Sequence, residues 1–130
     1  MEPYLRITGS LLILLATIHI GFPKYFRWKE EFETVRLINR QMMYVHTFFI
    51  GYFVILIGIL CLLDTNDLIH TPLGRHISFG LFLFWAVRLF SQLFIYSSEL
   101  WKGKKFETAM HILFTLVWAY MTVVFFVISL

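Results

Sequence analysis

Residues 108–129 read TAMHILFTLVWAYMTVVFFVIS, a run of 22 residues without one Asp, Glu, Lys or Arg. A helix needs ~20 such residues to cross ~30 Å of hydrocarbon at a rise of ~1.5 Å per residue. A barrel strand would show about ten residues of alternating apolar and polar character, which this run does not. Three more stretches are of similar length and predominantly apolar, at about 5–23, 42–63 and 76–97. Lipid cannot satisfy backbone N–H and C=O groups, so each stretch must close its own hydrogen bonds as a helix. The expectation is an all-α integral membrane protein, a single domain over residues 1–130 built as a four-helix antiparallel transmembrane bundle.

Composition agrees. Of 130 residues, 59% are hydrophobic, 19% aromatic and only 15% charged, with mean hydropathy +0.76. A soluble domain of this size could not bury so much apolar surface. The single cysteine, Cys61, excludes an intramolecular disulfide and any CxxC motif, and reads as a small buried hydrophobe. Phe22-Pro23-Lys24 follows the first apolar run where a secretory leader would place small residues, so that run is read as a permanent span.

Charge predicts orientation. Lys24, Arg27, Lys29, Arg36 and Arg40 lie between spans one and two, and Lys102, Lys104 and Lys105 between spans three and four. Only Arg6 and Arg75 lie on the opposite side. The positive-inside bias therefore predicts a multi-pass protein of an inner or plasma membrane, with both termini outside. The same bias explains the net charge of +3, so no nucleic-acid partner is inferred. In the first loop, Trp28, Phe32, Val35, Asn39 and Met42 recur at helical spacing, with Lys29, Glu33, Arg36 and Arg40 between them. This predicts an amphipathic interfacial helix between spans one and two, running on toward span two and lying against lipid headgroups.

Function is sought in the polar groups inside the apolar runs, because such groups are costly in hydrocarbon and usually face a bundle interior. His19 precedes Pro23 by four residues, His46 follows the start of span two by four, and His111 lies near the start of span four. Each should sit roughly 5–6 Å below the same interface. Gln92 belongs to that layer, with Arg88 one turn deeper. Trp85, Arg88, Gln92, Tyr96 and Glu99 form one stripe of span three, and Glu107, His111, Thr115, Trp118 and Thr122 one of span four. Arg88 needs an anion: Glu99, Glu107 or an acidic ligand group.

The leading expectation is a redox cofactor bound for electron transfer, haem b first, since haem takes axial imidazoles from facing helices. His46 and His111 are the preferred ligands and His19 the alternative. Arg88 would meet a propionate, and Gln92 would hydrogen-bond in the layer. The second is a metal ion, zinc, copper or iron, held by His19, His46, His111 and Glu107. The histidine-rich boxes of membrane di-iron oxygenases are missing. Two other classes remain: a non-enzymatic packing subunit whose polar groups bond across helices, and a small transporter or proton conduit. With so little extramembrane mass, self-association or membership of a larger membrane complex fits all of them. His70 and His76 beside the outer turn read as solvated, and Trp85 and Trp118 as core packing.

Overall fold

The computed structural model describes residues 1–130 and is all-α. Six α-helices follow in order: α1 Glu2–Tyr25, α2 Trp28–Glu31, α3 Leu37–Leu63, α4 Thr65–His70, α5 Pro72–Phe90 and α6 Lys105–Ser129. A π-helical turn, Ser91–Ile95, extends α5, and a 3-10 turn, Ser98–Leu100, precedes α6. Four segments are long and apolar enough to cross a membrane: α1, α3, α5 with its π turn, and α6. The chain divides into two compact units, one of Leu5–Thr65 and one of Met1–Tyr4 with Asn66–Leu130.

In the first unit α1 and α3 run antiparallel and meet at glycines. A Cβ on Gly9 would lie 2.8 Å from Leu62 Cγ and 2.9 Å from the Gly58 carbonyl oxygen, and one on Gly51 would lie 3.1 Å from His19 Cβ. In lipid, helices associate through close packing rather than hydrophobic transfer, so residues without side chains belong at this seam. Pro23 lies inside α1, and the helix continues to Tyr25. Proline so near the C-terminal end removes one N–H without breaking a long ladder. The missing donor is the one that would have reached the His19 carbonyl, four residues back.

The helix expected between the first two spans is a single turn, Trp28–Glu31. It begins after Arg27, which adopts a left-handed φ of 56°. The helical spacing read over 28–42 is interrupted at 32–36 and resumes with α3 at Leu37. Glu30, Glu31 and Glu33 repel along one turn, and β-branched Thr34 and Val35 are poor helix formers. Trp28 is buried against Phe32, stacked at 5.3 Å, and Tyr44, edge-on at 5.2 Å.

In the second unit α5 starts cleanly. Thr71 caps it by accepting from the Gly74 N–H at 2.9 Å, and Pro72 opens the first turn. Gly74 permits the α4–α5 corner, since a Cβ there would collide with the Asp67 carbonyl and Leu68. α5 and α6 then pack antiparallel, with Phe82 against Phe126 at 5.1 Å and Trp85 stacked on Trp118 at 5.1 Å and 11°.

Candidate functional site

The polar residues of the second unit form one connected group. Arg88 and Gln92 are one turn apart, and Arg88 Nη1 donates to Gln92 Oε1 at 3.3 Å. Gln92 is buried at 8% exposure and reaches α6, where its amide nitrogen lies 3.2 Å from His111 Nδ1 and 3.5 Å from the His111 carbonyl. A guanidinium only donates, so it fixes which end of the Gln92 amide faces it. The NH2 end therefore faces His111, Nδ1 is the acceptor, and in this neutral ring the proton is on Nε2.

Aromatic rings enclose the group. Arg88 lies 4.9 Å from the Trp118 ring and 5.4 Å from the Tyr96 ring. Trp101 stacks on His111 at 4.6 Å and 18°, its carbonyl tied to α6 by the Thr108 hydroxyl at 2.6 Å. The π turn shapes this cage. Its closing bond runs from the Tyr96 N–H to the Ser91 carbonyl at 3.2 Å. The wider turn rotates less per residue than an α-helix, which brings Tyr96 back toward the Arg88 face. Such turns recur at functional sites.

The structure thus brings together Arg88, Gln92 and His111, adds Trp101, and sets Trp118, expected as core packing, against Arg88. Trp118 follows His111 by seven residues on one helical face, a signal available in the chain. Glu99 and Glu107 are exposed and neither pairs with Arg88. The chain's one ion pair joins Arg27 and Glu30 at 2.7 Å on the surface, where that hydrogen bond raises the Arg27 pKa.

His19 and His46 belong to the first unit. Each ring Nδ1 lies within hydrogen-bond distance of the carbonyl four residues back: Leu15 at 2.8 Å for His19 and Met42 at 2.7 Å for His46. A carbonyl only accepts, so Nδ1 carries a proton in both rings, and the neutral form of each ring keeps its lone pair on Nε2. This is the tautomer of a histidine that ligates through Nε2, held by its other nitrogen. The two differ in place. His19 is half-buried against Gly51 and tilts onto Phe22 at 4.7 Å. His46 is exposed, about 140° around α3 from Gly51 at ~100° per residue.

His19 lines a half-open groove of about 520 Å³ between α1 and α3. Its other walls include Ala16, Thr47, Phe48, Tyr44 and Tyr52, so it is almost wholly apolar. The size falls in the range of roughly 300–1,000 Å³ common for ligand sites. Nowhere do three or more His, Cys, Asp or Glu side chains gather as a metal ion would require. No known family model, curated protein or solved structure matches the chain.

Proposed function

We propose that this chain is a membrane cofactor-binding protein in which His19 holds a redox cofactor, haem b, for electron transfer. One observation carries the reading: His19 lines an apolar groove of about 520 Å³ with its Nδ1 held by the Leu15 carbonyl, which leaves Nε2 as the nitrogen for a ligand. An axial imidazole and aromatic or aliphatic walls are what a b-type haem takes from a protein. His19 replaces His46 and His111 as the preferred ligand. His46 lies off the groove, and the Nδ1 of His111 accepts from Gln92. The loops rich in Lys and Arg are assigned to the cytoplasmic side, with both termini outside.

The test is a spectrum of detergent-purified protein, oxidised and dithionite-reduced, with elemental analysis of the same sample. A Soret band that sharpens on reduction is expected, lost in His19→Ala and kept in His46→Ala. A sample colourless and metal-free even after reconstitution would sink the reading.

A second reading is a non-enzymatic packing subunit. It is favoured by how many intramembrane polar groups are satisfied within their own helix: Thr17 on Ile13, Thr115 on His111 and Thr122 on Trp118, each at 3.0 Å or less. Such local bonds need no ligand.

A further inference from the structure

We infer that the α5–α6 unit carries an oxyanion-binding site centred on Arg88, taking a carboxylate or phosphate group, independent of any cofactor at His19. The argument is a count of donors against acceptors. Arg88 presents five N–H donors, and one of them is used, by Gln92 Oε1 at 3.3 Å. The indole N–H groups of Trp85 and Trp118, at 3% and 4% exposure, have no hydrogen-bond partner. Trp118 is the ring over which Arg88 sits at 4.9 Å, and Trp85 stacks beneath it at 5.1 Å. Three neutral acceptors beside the cage are already engaged: Gln92 Oε1 by Arg88, His111 Nδ1 by Gln92, and the His111 carbonyl by Thr115.

No carboxylate of the chain balances the charge, since its one ion pair is Arg27–Glu30. Arg88 lies seven residues from the end of the α5 span, roughly 10 Å at the helical rise, where water is scarce and an uncompensated guanidinium is costly. The cage therefore has surplus donors and one positive charge, and no anionic acceptor to match them. What completes it is a group that only accepts and carries negative charge. A carboxylate or phosphate matches the guanidinium fork with two parallel bonds. Arg88 is half-buried, so the group can reach it from outside the cage. The ring faces against Arg88 hold the cation in place while its N–H edges remain free.

The experiment is calorimetric titration of cofactor-free protein in phosphatidylcholine nanodiscs, with empty discs as blank, using decanoate and inorganic phosphate as probes. Saturable binding of one probe per chain is expected. Arg88→Gln should weaken it a hundredfold or more. Arg88→Lys, which keeps the charge and loses the fork, should weaken it less. Trp118→Phe should weaken it about tenfold, the scale of one hydrogen bond to a charged group, while keeping the wild-type helicity. Decanoate alone binding would assign the site to a lipid-borne acid, and phosphate binding equally well to a free anion. No saturable heat with either probe, or an unchanged Kd in Arg88→Gln, would overturn the proposal.

Discussion

Gln92 donates its side-chain amide to His111 Nδ1 across the α5–α6 seam at 3.2 Å, while its carbonyl accepts from Arg88 at 3.3 Å. One residue thus satisfies a cation on its own segment and an imidazole on the next, in the only orientation that serves both. Gln92→Leu keeps the volume and removes both roles. It leaves the His111 nitrogen and an Arg88 N–H without partners in a region poor in water. The expected cost is about 1–2 kcal/mol, toward the upper end for intramembrane hydrogen bonds. Equilibrium unfolding in mixed micelles should show it as an earlier transition, and an unchanged midpoint would mean that the bridge contributes nothing.

The α1–α3 seam makes a sharper contrast between glycines. A Cβ on Gly58 would lie 3.0 Å from both the Gly9 carbonyl oxygen and Ile13 Cγ1, whereas one on Gly80 would meet nothing within 4 Å. Gly58→Ala requires the Gly9 backbone and Ile13 to give by a few tenths of an ångström in a close seam, and overpacking of this kind costs about 1–3 kcal/mol. Gly80→Ala adds a better helix former to a free surface and should be neutral or stabilising by up to ~1 kcal/mol. Melting temperatures of the two variants, measured side by side, check the difference in sign.

Much of this was legible in the chain. The four spans follow from apolar run length, because hydrocarbon thickness sets helix length directly. The Arg88–Gln92 contact follows from i, i+4 spacing, and the His111 partnership from matched positions on facing spans. The π turn at Ser91–Ile95 was not legible, because nothing in Ser-Gln-Leu-Phe-Ile marks it. It breaks the expected stripe, so Tyr96 stays with Arg88 while Glu99 falls into the exposed 3-10 turn. Depth placed His46 level with His19, but depth carries no azimuth, and the two rings leave their helices toward different sides. Trp101 reaches His111 through a loop whose path is set by the Thr108 hydroxyl, a contact that no periodicity encodes.

Cys61 reports on the first unit without a mutation. It is fully buried on α3, on the helix face that also carries Gly58 and Val54. A thiol without access to reagent reacts only when the helices separate. N-ethylmaleimide should therefore leave native protein in detergent unlabelled and modify one site per chain once dodecyl sulfate unfolds it. Labelling of the native protein at the denatured rate would show that α1 and α3 are apart. Gly58→Ala should move the labelling midpoint in step with its melting temperature, because both read the same seam.

Trp118 separates packing from hydrogen bonding. Its ring is stacked on Trp85 at 5.1 Å, on Phe114 at 5.7 Å and under Arg88 at 4.9 Å, yet its indole N–H is buried without a partner. Trp118→Ala removes the stack and leaves a cavity, which costs about 3–5 kcal/mol in a packed interior. Trp118→Phe keeps an aromatic face for Trp85 and Arg88 and deletes a donor that bonds to nothing in the unliganded chain. An unsatisfied buried donor is itself a burden of about 1–3 kcal/mol, so deleting it offsets the smaller ring. Thermal unfolding should accordingly place Trp118→Phe within about 1 kcal/mol of wild type and Trp118→Ala far below. If Phe falls as far as Ala, the indole N–H has a partner in the folded protein and the surplus of donors around Arg88 is smaller than counted. If Phe holds its stability but loses oxyanion affinity, that N–H serves the ligand rather than the fold.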